Sequence, residues 1–213
     1  MPDFRLEDAA RGDGHAVVAG VDEAGRGPWA GPVVAGAVIL DRARLSPALE
    51  RSLDDSKKLP KTRREALFEA LSAEAHIGVG RAEVAEIDAL NILGATLLAM
   101  ARAVDALGAA PDLALVDGNR APALPCPVRC VVRGDGQSLS IAAASIAAKV
   151  TRDEIMAGLA DTFPGYGWER NAGYGTPEHR AAIERLGVTP VHRRTYAPIR
   201  EALGRNILRP AAP

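Results

Sequence analysis

Two adjacent carboxylates, Asp22 and Glu23, stand where an apolar run over residues 16–21 ends. Like charges this close repel each other and lose hydration, so a folded protein keeps them together when cations or donors share the site. Mg²⁺ and Mn²⁺ prefer such oxygen ligands. In the Gly25-Arg26-Gly27 segment that follows, glycine lets backbone groups approach a ligand and arginine offers donors suited to phosphate. A hydrated turn after a strand explains these residues equally well on local chemistry alone.

Two further apolar runs also lead into an aspartate. Residues 113–116 end in Asp117, and residues 128–132 continue through Arg133-Gly134 into Asp135. Strand ends of an open α/β sheet converge on one crevice, so this pattern predicts that the acidic residues meet there. Four carboxylates in one place could hold two divalent ions roughly 4 Å apart, the geometry for in-line attack on a phosphodiester.

Five short motifs occur in the order typical of one enzyme family. They are Val21-Asp22-Glu23-Ala24-Gly25-Arg26-Gly27-Pro28, Asp55-Ser56-Lys57-Lys58-Leu59, Val116-Asp117-Gly118-Asn119, Ala143-Ala144-Ser145-Ile146-Ala147-Ala148-Lys149-Val150-Thr151-Arg152-Asp153 and Gly173-Tyr174-Gly175-Thr176. On these motifs the chain resembles ribonuclease HII, and the resemblance extends over residues 16–203.

The resemblance implies a role for each matching position. The four metal-binding, catalytic carboxylates correspond to Asp22, Glu23, Asp117 and Asp135. The Gly25-Arg26-Gly27 turn corresponds to the segment that senses the ribose 2′-OH through its backbone. Tyr174 corresponds to the aromatic residue that packs on the following deoxyribose, so that the two would together recognise an RNA-to-DNA junction. A 2′-OH is what distinguishes RNA from DNA at such a site.

The fourth carboxylate has two competitors later in the chain, Asp153 and Glu154. Apolar residues at near-helical spacing predict a helix over residues 138–161, which places Asp153 about three to four turns from its start. Asp135 instead follows a strand-like run and precedes the helix. We therefore assign Asp135 to the cluster and interpret Asp153 as a surface or structural acid.

Three polar residues of this predicted helix, Ser145, Lys149 and Arg152, fall on one face at i, i+4 and i+7. The resemblance makes Ser145 and Lys149 candidate substrate-binding residues, and Lys149 could reach a phosphate. A solvated face with a snorkelling lysine is the alternative. By the same resemblance, Lys57 in the Asp-Ser-Lys segment lies near the active cleft. The chain departs from the family pattern at Asn171-Ala172, where many relatives carry His-Lys, which puts in doubt any contribution of these two positions to binding or proton transfer.

Composition agrees with this interpretation but does not produce it. The chain has 213 residues, of which 47% are hydrophobic, enough for one domain over residues 1–213 with a full core. Its formal net charge of −1 lacks the basic footprint usual in nucleic-acid binders. Cations bound to the acidic cluster would, however, reverse its local sign.

The sequence also bears on location and partners. The first 15 residues are mixed and charged, and no apolar run approaches the roughly 18 residues of a membrane span. Cys126 and Cys130 are four apart around a predicted strand, too far for a relaxed disulfide. We expect a cytoplasmic monomer without a membrane partner, and the sequence leaves open whether a sliding clamp recruits it. The proline-rich tail over residues 209–213 is predicted to be disordered.

These residues must be positioned by a mixed set of elements. Strands are predicted over residues 16–22, 32–40, 76–82, 112–117 and 128–133, and helices over residues 61–74, 91–107, 138–161 and 177–186. Thr176-Pro177-Glu178 has the N-cap and the N1 proline of a helix start. Pattern alone supports a mixed α/β sheet. The resemblance implies an α/β ribonuclease H-like fold, with a central mixed five-stranded sheet flanked by helices and a helical C-terminal region.

The resemblance implies an endoribonuclease that uses two Mg²⁺ or Mn²⁺ ions when its substrate is bound. It would hydrolyse the RNA strand of RNA/DNA hybrids and incise 5′ of ribonucleotides embedded in duplex DNA, leaving 3′-hydroxyl and 5′-phosphate ends. No histidine lies in the matching motifs, so metals and carboxylates would carry most of the proton chemistry.

Three alternatives stay open. The sister enzyme ribonuclease HIII also cuts hybrids but typically carries a long N-terminal extension, whereas 15 residues precede the first predicted strand here. A non-catalytic RNA/DNA hybrid-binding module would need a defect other than the carboxylates, which are all present. A metal-dependent phosphatase shares the acidic strand ends, but the junction motif and Tyr174 argue against it.

Overall fold

A mixed five-stranded sheet forms the centre of the protein, a computed structural model of which describes residues 1–207. The strands are β1 (Val18–Ala24), β2 (Val33–Leu40), β3 (Ala75–Ala82), β4 (Leu113–Asp117) and β5 (Val128–Val131), in the spatial order β3-β2-β1-β4-β5. The first three strands pair antiparallel, whereas β1, β4 and β5 run parallel. The carboxyl ends of β1, β4 and β5 therefore share one edge of the sheet. The predicted disordered tail lies outside the described residues.

Helices cover both faces of this sheet. Within the described residues they are α1 (Arg5–Gly12), α2 (Pro47–Glu50), α3 (Lys61–Glu74), α4 (Val84–Asp105), α5 (Leu139–Thr162), α6 (Trp168–Asn171), α7 (Pro177–Leu186) and α8 (Ala197–Ile207), with a 3₁₀ turn at Gly134–Gly136. Because side chains alternate along a strand, Val21 packs in the core that includes α4, while Val38 packs in the core with α3 and α5. The predicted fold class is confirmed.

The predicted elements agree with the structure to different degrees. Helices α3 and α7 have the predicted bounds, and Thr176 caps α7 by accepting a hydrogen bond from the His179 amide. Helix α4 begins at Val84 rather than at residue 91, because Asn91 has a φ of 61° and joins two helical stretches across a kink. The predicted single-domain organisation stays a prediction.

Helix α5 approaches β1 and β2 very closely, because glycines face it. A Cβ atom on Gly20 would lie 2.1 Å from the carbonyl carbon of Ser140, and one on Gly36 would lie 2.4 Å from the Ala144 oxygen. Only hydrogen fits at these two positions. The contact fixes the start of α5, and with it the turn that precedes the helix, relative to the end of β1.

Helix α4 is long and apolar enough to cross a membrane by composition, with a mean hydropathy of 1.5 over its most apolar 18 residues. A third of that window is buried inside the protein. The helix packs on the sheet where Gly80 admits it, since a Cβ atom there would lie 2.2 Å from the Ala99 oxygen. Packing on the sheet accounts for the apolar residues of the buried third, and the predicted lack of a membrane partner stays a prediction.

We expect Gly20→Ala to lower the free energy of unfolding by at least about 1 to 3 kcal/mol, because the new methyl group overlaps the α5 backbone. Gly158 is the matched control, since it lies in α5 and a Cβ atom added there would have no other atom within 4 Å. Gly158→Ala should raise the free energy of unfolding by about 0.5 to 1 kcal/mol. Urea unfolding checks both, and equal effects would contradict the close contact.

Candidate active site

Three carboxylates meet at the edge of the sheet where the parallel strands end. Asp22 and Glu23 come from β1 and Asp117 from β4, and each offers an oxygen within 4.8 Å of the others. The parallel register pairs Val21 with Val116, so the residues that follow lie side by side. Asp22 is only 4% exposed, and the other two are partly buried. We refer to these three residues as the acidic cluster.

Burial and mutual repulsion disfavour negative charge in the acidic cluster. Burial raises the pKa of Asp22 well above its usual range, and the charges of Glu23 and Asp117 add to this. Burial also raises the pKa of Asp117 and of Glu23, although Arg26 opposes the shift at Glu23. A divalent cation would relieve this repulsion, and three carboxylates are a donor set that suits Mg²⁺ or Mn²⁺.

Asp135 lies beside the acidic cluster rather than inside it. It belongs to the Gly134–Gly136 turn and is 7% exposed. Its charge raises the pKa of both Asp22 and Asp117, and its Oδ2 accepts a hydrogen bond from Lys57 Nζ at 3.1 Å. One oxygen of Asp117 accepts the Gly134 amide at 2.6 Å, which ties this turn to β4. The structure thus brings together all four predicted carboxylates. Three form the acidic cluster, and Asp135 lies beside it.

Lys57 supplies part of the positive charge that these carboxylates need. Burial opposes its charged form, but the hydrogen bond and charge of Asp135 and the charge of Asp22 outweigh burial and raise the pKa of Lys57. On the other side, Arg26 Nη1 lies 3.2 Å from Glu23 Oε1. Both cations are mostly exposed.

A cleft of about 260 Å³ opens over the acidic cluster. Most of the predicted site residues line it: Asp22, Glu23, Gly25, Arg26, Gly27, Lys57, Asp117, Lys149 and Tyr174. Asp135 lines an adjoining groove that shares Lys57 and Asp117 with the cleft. Ser145 lines neither, because it is 3% exposed and its hydroxyl donates to the Ala142 carbonyl at 2.8 Å. The structure therefore does not bring Ser145 to the substrate surface that was predicted for it.

Asp153, the competitor for the fourth carboxylate, has cationic partners away from the acidic cluster. It accepts hydrogen bonds from Lys149 Nζ at 2.6 Å and from Arg64 Nη2 at 3.4 Å. Both contacts are partly buried. Its position agrees with a structural role, and it also holds Lys149 at the wall of the cleft.

Two buried arginines, which the sequence did not assign to the site, lie behind the Gly25–Gly27 turn: Arg193 holds it by hydrogen bonds and Arg152 packs against Gly25. Arg193 is fully buried and donates to the carbonyl oxygens of Gly25 and Arg26, and the Tyr196 hydroxyl also donates to Arg26 at 2.6 Å. Gly25 has a φ of 96°, and a Cβ atom there would lie 1.9 Å from Nε of Arg152. Only glycine therefore fits at this first position of the turn.

The hydrogen bonds of Arg193 also orient the opposite side of the turn. Peptide units are planar and trans, so an N–H points away from the carbonyl of the preceding residue. The carbonyls of Gly25 and Arg26 point to Arg193, and the amides of Arg26 and Gly27 therefore point to the cleft side. In the described part of the chain these two amides have no protein acceptor.

Tyr174 stands at the mouth of the cleft, and a chain of hydrogen bonds supports it from behind. The ring is 47% exposed, and a Cβ atom on Gly27 would lie 3.5 Å from it. His179 Nδ1 lies 2.9 Å from the Tyr174 carbonyl, and His179 Nε2 lies 3.1 Å from His192 Nε2. The Thr189 amide donates to His192 Nδ1, so His192 carries its proton on Nε2 and donates it to His179. This series of hydrogen bonds forms only when both histidines are neutral.

Asn171 and Ala172, where the sequence departs from the predicted family pattern, have structural roles here. The Asn171 side chain donates to the Tyr166 carbonyl at 2.8 Å and accepts the Gly173 amide at 2.9 Å. The Ala172 carbonyl accepts a hydrogen bond from Arg152 at 2.9 Å. These contacts fix the backbone directly before Tyr174 without adding a charge to the cleft.

Comparison with known proteins decides the family. The family model described as Ribonuclease HII matches residues 19–199, which include every predicted site residue. This chain belongs to the ribonuclease HII family. The ribonuclease HII of Rhodospirillum rubrum is 62% identical over 210 residues, which cover 98% of this chain and 94% of that protein.

Solved structures agree with the assignment to the ribonuclease HII family. The ribonuclease H2 of Pyrococcus horikoshii OT3 superposes with a TM-score of 0.75 at 30% identity, covering 89% of this chain and 98% of that chain. The RNase HII in the PCNA:RNase HII complex of Archaeoglobus fulgidus gives a TM-score of 0.70 at 26% identity, covering 84% and 95%.

Ribonuclease HII enzymes are hydrolases with ribonuclease H endonuclease activity on RNA/DNA, and this chain is such an enzyme. The predicted resemblance is confirmed, and the family separates the chain from the ribonuclease HIII, binding-module and phosphatase alternatives. Divalent-metal dependence agrees with the family and with the acidic cluster.

We expect Asp22→Asn to stabilise the metal-free protein by about 1 kcal/mol or more, because it removes a buried repelling charge while its oxygen still accepts the Glu23 amide. The same change should abolish cleavage and most of the thermal stabilisation by Mn²⁺. Thermal unfolding with and without Mn²⁺ checks this. Asp153→Asn is the control, and it should lower stability but keep the Mn²⁺ response.

Buried neutral histidines predict a loss of stability in acid. Burial, followed by the charge of His179, lowers the pKa of His192 to about 4. The folded state then binds fewer protons than the unfolded state between about pH 6.5 and pH 4, so stability falls as the pH falls through this window. The loss should reach up to about 3 kcal/mol.

Comparison of the wild type with His192→Asn isolates this contribution, because the acidic cluster titrates with the opposite sign. The variant should lose less stability than the wild type between pH 7 and pH 4 in urea unfolding. His76→Gln, which removes an exposed histidine, should follow the wild type. If the free energy of unfolding depended on pH in the same way in all three proteins, the fold would not keep His192 in its neutral form.

Proposed function

We propose that this ribonuclease HII incises 5′ of ribonucleotides embedded in duplex DNA, in addition to cutting the RNA strand of hybrids, and leaves 3′-hydroxyl and 5′-phosphate ends. The observation that carries the proposal is the orientation of the Arg26 and Gly27 amides. They face a cleft whose lining includes the acidic cluster and Tyr174. The 2′-hydroxyl of a ribose bound there would accept hydrogen bonds from these amides, next to the phosphodiester that is cut.

Discrimination between ribose and deoxyribose would come from these two donors. A 2′-OH can accept their hydrogen bonds, whereas a deoxyribose leaves the donors unpaired in the cleft at a cost of about 1 to 3 kcal/mol. Because Arg193 holds both carbonyls of the turn, the amides cannot rotate to find another acceptor. Tyr174 presents an apolar ring face, which favours a following sugar that lacks the hydroxyl.

The predicted ligands for two divalent ions are Asp22, Glu23, Asp117 and Asp135. When bound, such ions, Mg²⁺ or Mn²⁺, would supply an activated water and would stabilise the negative charge on the departing 3′ oxygen. The chain's own contribution is to hold the four carboxylates together against their repulsion. Lys57 and Lys149 line the cleft as donors for substrate phosphates, and no histidine lines it in the described residues.

A sliding clamp is a second proposed partner. This proposal rests on the Archaeoglobus fulgidus relative, whose structure is that of a PCNA:RNase HII complex. From the sequence we also propose that the protein is a cytoplasmic monomer.

The proposed specificity is tested with an end-labelled DNA duplex that contains one ribonucleotide, in Mg²⁺ or Mn²⁺. We expect one cut on the 5′ side of the ribonucleotide, absent from an all-DNA duplex and from the Asp22→Asn variant. Cleavage of a long hybrid without a cut at the single ribonucleotide would reject junction recognition, although it would leave the family activity intact.

Tyr174→Ala should lower kcat/KM for the single-ribonucleotide duplex about tenfold more than for a long hybrid, because one aromatic contact with a nucleotide contributes about 1 to 3 kcal/mol. Tyr174→Phe keeps the ring and should behave as the wild type on both substrates. The ratio of the two kcat/KM values is the measurement. An equal loss on both substrates in Tyr174→Ala would show that the ring does not discriminate.

A further inference from the structure

Helix α1 carries a buried carboxylate that the active site does not use. Glu7 is 3% exposed, and its Oε1 accepts hydrogen bonds from the Ser138 hydroxyl at 2.6 Å and from the hydroxyl and amide of Ser140 at 2.6 and 2.9 Å. Its Oε2 is buried without a partner, and no Lys or Arg pairs with it in the described residues. A buried charge held in this way requires a compensating positive potential.

The positive potential is that of the helix α5 N-terminus. Ser138 is the N-cap of α5, and the Ser140 amide that Glu7 accepts belongs to the first turn of this helix. Anions at a helix N-terminus are stabilised by the aligned peptide dipoles, yet α5 has no acidic residue in its own first turn. Glu7 therefore supplies from α1 the negative charge that α5 lacks.

The segment before α1 also pairs with the chain that leads into α5. The Asp3 amide donates to the Gln137 carbonyl, and the Leu139 amide donates to the Asp3 carbonyl, both at 3.2 Å. Phe4 packs in the same core as Leu139. Two backbone bonds and a buried side chain thus join the Glu7 contact in holding the start of α5.

The chain that leads into α5 also closes the turn that carries Asp135. The amides of Gln137 and Ser138 donate to the Gly134 carbonyl at 2.9 and 2.8 Å. The turn begins at Arg133, a non-glycine residue with a φ of 57°, a conformation that costs about 1 to 2 kcal/mol. Asp117 holds one end of the turn through the Gly134 amide, and the α1 segment holds the other.

We propose that Glu7 is a positioning residue for Asp135, and that α1 thereby sets the divalent-ion affinity of the active site. The inference rests on the proposed function, because it takes Asp135 to be a metal ligand. Helix α1 lies before residues 19–199, the part of the chain that the family model matches. The α1 side of this contact, which includes Glu7, therefore lies outside the matched family region, whereas Ser138 and Ser140 lie inside it.

The test is Mn²⁺ titration of the substrate-free protein by isothermal calorimetry at a temperature where every variant is folded. Glu7→Ala should weaken the Mn²⁺ affinity that depends on Asp135 by about tenfold, as expected for a residue that orients a ligand. Glu7→Gln, which keeps the shape and one acceptor, should weaken it less. Asp8→Asn, an exposed neighbour in α1 that pairs with Arg42, is the control and should bind Mn²⁺ as the wild type does.

A double-mutant cycle separates positioning from general stability. Glu7→Ala combined with Asp135→Asn should bind Mn²⁺ no more weakly than Asp135→Asn alone, because Glu7 acts through that ligand. If both Glu7 variants bound Mn²⁺ as the wild type does while Asp135→Asn bound it more weakly, the role of Glu7 would be overturned and the proposed function would stand. Unchanged affinity in Asp135→Asn would overturn the proposed ligand set and the inference with it. If Glu7→Ala does not fold, Glu7→Gln decides.

Discussion

Electrostatic repulsion within the acidic cluster is the constraint on which the arrangement of the whole sheet edge depends. Three carboxylates with raised pKa values can stay together only if the backbone that carries them cannot move apart. The glycine contacts of β1 and β2 with α5, and the parallel pairing of β1 with β4, provide that rigid frame. Because this frame prevents local unfolding, the repulsion is relieved by binding a cation, which raises the affinity for the cation.

The part of the site for which we propose sugar recognition is held mainly by contacts with backbone groups, and the ion pair of Arg26 with Glu23 joins it to the acidic cluster. Arg193 and Arg152 are buried and donate to backbone carbonyls, and two neutral histidines connect Thr189 with the backbone of Tyr174. Neutral backbone acceptors orient these side chains without adding negative charge to the cleft. The acidic cluster and the Gly25–Gly27 turn are thus supported by different contacts, although their residues line one cleft.

Local signals explain what the sequence could predict. Helix α7 has an N-cap threonine and an N1 proline, and the strands of the site are apolar runs that end in acids, so both were found from the sequence. The resemblance predicts Ser145 as a substrate-binding residue, and helical spacing places it on the face of Lys149. Spacing shows which residues share a face, but not whether that face is buried. In α5 the first ten residues are buried on every side, so periodicity carried no such information. The buried arginine contacts with carbonyls, and the contact of Glu7 with α5, join distant segments and leave no local pattern.

The parallel pairing of β1 with β4 also has a consequence for how the protein folds. The Val17 amide donates to Asp112 across 95 residues of sequence, whereas β1 and β2 form a local antiparallel pair. Closing a long loop costs more chain entropy than closing a hairpin, so we expect the β1–β2 pair to form before β4 docks. Asp22 and Glu23 would then meet Asp117 only in the late, non-local step. The nascent chain would thus keep Asp117 hydrated and apart from Asp22 and Glu23 until most of the frame that confines them exists.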